Sequence, residues 1–73
     1  MNAAQVLKFE VVTTYYDRKV RKEVRHVHGI VEAESVDAAA SEGRKLYGVD
    51  ACKLLAERPT EFWINRAIKV KQV

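Results

Sequence analysis

The chain is poor in the residues that staple or interrupt small proteins, having one cysteine, one proline, three glycines and one tryptophan among 73 residues. A lone Cys52 can form no internal disulfide and no zinc-ribbon spacing; the expectation is a small buried hydrophobe, not a nucleophile. No apolar run approaches the roughly 18 residues that cross a bilayer, and the opening MNAAQVLKFE has neither a basic start nor a hydrophobic signal segment, so the chain is expected to be cytoplasmic. A Gly-rich phosphate loop, a paired-carboxylate constellation and a Ser/His/Asp arrangement are also missing, and the reading is of a non-enzyme with no cofactor. There is no repeat and no Pro/Gly/Ser linker, which leaves one domain over residues 1–73. A core of this size supplies only about 3–5 kcal/mol of net stability.

What remains is patterned. Val6 to Tyr16 is rich in β-branched and aromatic residues, with Leu7, Phe9, Val11, Thr13 and Tyr15 alternating against Lys8, Glu10, Val12, Thr14 and Tyr16, as in a half-buried strand. After the polar turn Asp17-Arg18-Lys19, the segment Val20 to Ala33 alternates again, with Val27, Gly29, Val31 and Ala33 as its apolar row, and the two strands read as a long hairpin. Ser35 suits a helix N-cap and Asp37 meets the positive end of the dipole. Val36, Ala39, Ala40, Gly43, Leu46 and Tyr47 keep helical spacing, and Gly48 offers a left-handed cap near residue 47. The narrow Ala/Gly stripe implies close approach of helix to sheet at Gly43. Asp50 then caps a short second helix, Ala51 to Glu57, closed by Pro59. Phe62 to Val73 alternates Phe62, Ile64, Ile68 and Val70 against Trp63, Asn65, Lys69 and Lys71, and is read as the third strand.

The fold class is therefore α+β: a three-stranded antiparallel sheet in the order 2-1-3 with one main helix on one face, ββαβ, or ββααβ with the second short helix. The other face has nothing left to cover it. His26, His28, Ile30, Lys8, Val12, Tyr16, Trp63, Lys69 and Lys71 are expected there, facing solvent, a partner or a second copy of the chain in a homodimer.

Charge is uneven. Asp17 to His28 carries Arg18, Lys19, Arg21, Lys22 and Arg25 against Asp17 and Glu23, a surplus equal to the whole net charge of +3. Such an arm seeks an anion, either nucleic-acid phosphates or an acidic protein surface; it also reads as a charged edge that resists aggregation. Tyr16 and Trp63 among Lys69 and Lys71 fit a stacking platform for bases, a protein hot spot or a homodimer contact, and no ribonucleoprotein-type aromatic motif decides between them. His26-x-His28 has the spacing of two ligands on one strand face, but no third ligand is specified, and the reading is of surface histidines without a metal.

The stretch GIVEAESVDAAASEGRKLYG followed by INRAIKVKQV resembles two groups. One is the pool of small phage and mobile-element ββαβ proteins, some anti-CRISPR inhibitors among them, which implies an inhibitor docking on a host protein or nucleoprotein complex. The other is the ribosomal L18a-type domain, with Arg66, Ile68 and Val70 at the matching positions, which implies an RNA-binding or ribosome-associated module. The Leu54-Leu55 stretch and the highly basic hairpin fit neither pattern closely, and the likeness rests on common fold-forming residues.

Overall fold

The computed structural model describes residues 5–73; the first four residues of the segment read above for a signal sequence lie outside them. Two long strands, β1 (Leu7–Asp17) and β2 (Lys22–Ala33), form an antiparallel hairpin, followed by helices α1 (Val36–Leu54) and α2 (Glu61–Ala67) and a short strand β3 (Lys69–Gln72). The sheet order is β2-β1-β3, and β3 pairs antiparallel with Phe9 to Val12 of β1. This is the α+β architecture expected from the alternation, in its ββααβ form. Among the described residues, no helix is long and apolar enough to cross a membrane.

Phe9, Val11 and Val31 project from the sheet onto Ala39 and Ala51 of α1 and onto Ala67 and Ile68, with Leu7, Ala33, Tyr47, Leu55, Ile64 and Val70 around them. Small residues on the helix face let the layers come together. A Cβ added at Gly43 would lie 3.0 Å from a Val11 methyl, so the expected close approach is real. Ser35 caps α1 as expected, its hydroxyl accepting from the Ala38 amide at 3.1 Å.

Three local expectations are corrected. First, α1 does not stop near Tyr47 with Gly48 as its cap, nor does Asp50 start a new helix over residues 51–57. Gly48 stays helical because α2 packs on it: a Cβ there would come within 2.8 Å of Ile64 Cγ2. The helix ends instead at Leu55, with Ala56 in the left-handed region (φ 56°). The Glu57 amide donates to Cys52 O (2.9 Å) and the Ala56 amide to Lys53 O (3.1 Å), the two bonds of a Schellman cap.

Second, Phe62 to Ala67 is helix, not strand. Thr60, directly after Pro59, accepts from the Trp63 amide (3.3 Å), and Ile64, Ala67 and Ile68 fall on one helical stripe facing the core. Arg66 also interrupts the apolar row that a strand would need. Third, the sheet register shifts between Val11 and Val12: Val11 pairs with Gly29 but Val12 with Val27, so His28 is an extra residue in β2. A one-residue bulge reverses the faces of everything beyond it. Val27 thus turns to the open face, whereas His26 and His28 turn to the helix side.

Candidate functional site

The bulge organises the point where hairpin and helices meet. Tyr47 of α1 lies over it, its ring stacked on His28 (centroids 5.6 Å apart, planes 15° from parallel) and its hydroxyl against the bare backbone of Gly29. Thr13, fully buried, donates its hydroxyl to Ala67 O at the end of α2 (2.8 Å) and lies 2.7 Å from His28 Nε2. Because the hydroxyl has one proton, already given to Ala67, His28 must donate to it, which assigns the proton to Nε2. His26 meets His28 edge-on at 4.8 Å. Burial, and then the neighbouring His26, hold the His28 pKa below its ordinary value, opposed by the weaker pull of Asp50. This cluster is a structural hinge-pin. Among the described residues, no three His, Cys, Asp or Glu side chains are grouped to hold a metal.

Past this point the molecule narrows from three strands to two. β3 reaches only as far as Val12, and between Thr14 and Val27 every residue is exposed or half-buried. At about 3.3 Å per residue, the four steps from Thr13 to Asp17 carry the ribbon roughly 13 Å beyond the last buried side chain, before the turn is added. The molecule is accordingly long and flat, 52 × 24 × 13 Å.

The sequence-predicted cations crown this ribbon. Arg18, Lys19 and Arg21 form the turn and Lys22 opens β2, all exposed. Asp17 Oδ1 accepts the Lys19 amide (2.8 Å), which ties its carboxylate to the turn backbone. Arg21 holds a left-handed backbone (φ 55°), where glycine would be at home. Arg25 differs from the other four: it points onto the open face and pairs with Glu10 at 2.7 Å. With both side chains partly exposed, that ion pair contributes about 0–1 kcal/mol.

Other predicted residues separate into two places. Tyr16 is 63% exposed on the open face near the tip, and Lys69 and Lys71 lie on that face beside Val12 and Glu10. Ile30 is exposed there as expected, but Val12 is only 6% exposed. Trp63 is not on this face at all. It sits on α2 in the helical layer, where its ring meets Phe62 edge-on at 5.2 Å and the Arg66 guanidinium lies 5.5 Å from both ring centroids. The expected Tyr16–Trp63 platform is therefore replaced by a basic ribbon on one side and a separate Phe62/Trp63/Arg66 group on the other. The helix cues at Thr60 and at Ile64, Ala67 and Ile68 were the signal for this placement.

Cys52 is buried within α1, and burial, with Glu57 second, pushes its thiol above the ordinary range, as befits an inert core residue. Comparison with protein-family models, curated proteins and solved structures finds no match. The surface is read from its own chemistry.

Proposed function

We propose that this protein is a non-catalytic binding module that docks on an anionic surface of a larger partner through its projecting hairpin. The observation that carries this reading is the two-stranded ribbon itself: bare on both faces, crowned by Arg18, Lys19, Arg21 and Lys22, and rooted in a packed domain at Thr13 and His28. A ribbon of two strands gains little stability alone. An exposed arm of this kind is explained by what it reaches. The open face, with Ile30, Tyr16, Lys69 and Lys71, supplies a flanking contact for the partner or for a second copy of the chain.

The setting proposed is that of a small phage or mobile-element inhibitor covering part of a host protein or nucleoprotein complex. An RNA-binding or ribosome-associated role draws on the same arm together with Lys69 and Lys71. Affinity capture from the native cell tests the reading, using wild type and a variant with Arg18, Lys19, Arg21 and Lys22 all changed to Gln, each with and without nuclease. The expected result is a partner recovered by wild type and lost by the variant, with melting temperatures nearly equal because exposed charges contribute little to stability. Equal recovery by a folded variant would overturn the proposal. Nuclease sensitivity separates a nucleic-acid partner from an acidic protein.

A further inference from the structure

Resting on that reading, we infer that the surface the hairpin fits is the major groove of double-stranded B-form DNA, which the ribbon enters tip first. Three features of the arm lead there. Its dimensions match: two strands about 4.8 Å apart, with side chains to either face, fit a groove about 12 Å wide, and a reach of roughly 13 Å exceeds the groove depth of about 8.5 Å. Its chemistry matches as well. Arg18, Lys19, Arg21 and Lys22 sit together at the turn with their heads in solvent, where long cationic side chains reach the base-edge acceptors of the groove floor and extend sideways to the phosphates of its walls.

The third feature separates DNA from an acidic protein. Protein interfaces have centres depleted of charge and built on packed aromatic anchors, with charges at the rim. Here the order is inverted: the tip is charged, with Val20 as its one exposed large apolar side chain, and the others on the arm, Tyr16 and Val27, lie further back. The Phe62/Trp63/Arg66 group, the better candidate for a protein anchor, is in the helical layer and not on the arm. Double-stranded RNA is disfavoured by shape, since its A-form major groove is deep and too narrow to admit the ribbon. The left-handed Arg21 fits the same picture, because a cation occupies the turn position where glycine is conformationally easier.

Fluorescence anisotropy tests the inference with four probes: a DNA duplex two helical turns long, one of its single strands, the RNA duplex of the same sequence, and poly-glutamate. The expected result is preferential binding of the DNA duplex. The logarithm of its affinity should fall against the logarithm of salt with a slope of about −3 to −4, for four phosphates at about 0.9 each, so a fourfold rise in salt weakens binding roughly 100-fold. Each of Arg18→Gln, Lys19→Gln, Arg21→Gln and Lys22→Gln should reduce that slope by about 1. Equal affinity for the RNA duplex or the single strand would overturn groove entry. Binding of poly-glutamate as tight as that of the DNA duplex would overturn groove entry; failure to bind the DNA duplex, with arm-dependent capture of another partner intact, would overturn the DNA assignment and leave the docking role standing. Arm-independent binding to every probe would overturn both.

Discussion

Replacing Thr13 with valine removes one buried hydroxyl while keeping nearly the same shape, at the place where β1, β2 and α2 are joined. The hydroxyl makes two hydrogen bonds, to Ala67 O at 2.8 Å and with His28 Nε2 at 2.7 Å. Ala67 is 3% exposed, so water has little access to the carbonyl left behind, and a stranded buried acceptor costs about 1–3 kcal/mol. His28 is only half-buried and recovers part of its bond from solvent, adding about 0.5–1 kcal/mol. The sum, about 1.5–4 kcal/mol, is a large part of the stability available to a domain of this size. At about 4–8 °C per kcal/mol it lowers the melting temperature by about 6–30 °C. Urea and thermal unfolding followed by circular dichroism, at a pH where His28 is neutral, measure it. Thr13→Ser is the control, since it keeps the hydroxyl and loses one methyl, about 0.8 kcal/mol. A valine variant as stable as the serine variant would refute the reasoning.

Other outcomes follow from the same geometry. Because His28 is less basic folded than unfolded, its contribution is constant at high pH and falls as pH drops through about 6.5, where the unfolded chain takes up a proton the native state resists. The fall levels off below the native pKa, and His28→Gln should remove that part of the pH dependence in a stability–pH series. Ala56→Gly and Arg21→Gly each relieve a left-handed backbone at φ 56° and 55° and should gain about 0.5–1 kcal/mol in melting experiments. Only Arg21→Gly should also weaken partner binding. Gly43→Leu drives a side chain into Val11 and Ile68, where a Cβ alone already meets a methyl at 3.0 Å, and should destabilise the fold by about 3 kcal/mol or more.

Alternation in β1, the Ser35 cap and the small-residue stripe at Ala39 and Gly43 were legible because each is set by neighbours close in sequence. The rest depended on packing across the fold. Gly48 has the chemistry of a helix terminus, yet Ile64 of α2 occupies the space it leaves, and the helix continues to an alanine in a left-handed cap. His26 and His28 sit in a run that alternates cleanly, but the bulge beneath Tyr47 moves both to the helix side, where His28 is half-buried and His26 stays exposed, and sends Val27 to the open face. Trp63 reads equally well in a strand until the Thr60 cap and the Ile64, Ala67, Ile68 stripe are weighed together. The basic arm was legible in the charges from Arg18 to Arg25. Its bareness on both faces was not, because that follows from the shortness of β3 and from where the helices stop.

An amide chemical-shift titration of the uniformly labelled protein with the DNA duplex tests most directly whether the hairpin is the binding surface. The account predicts shifts concentrated from Thr14 to Arg25, with the largest at Arg18 to Lys22, while α1 and α2 stay in place. Shifts centred on Phe62, Trp63 and Arg66, with the turn unaffected, would contradict it.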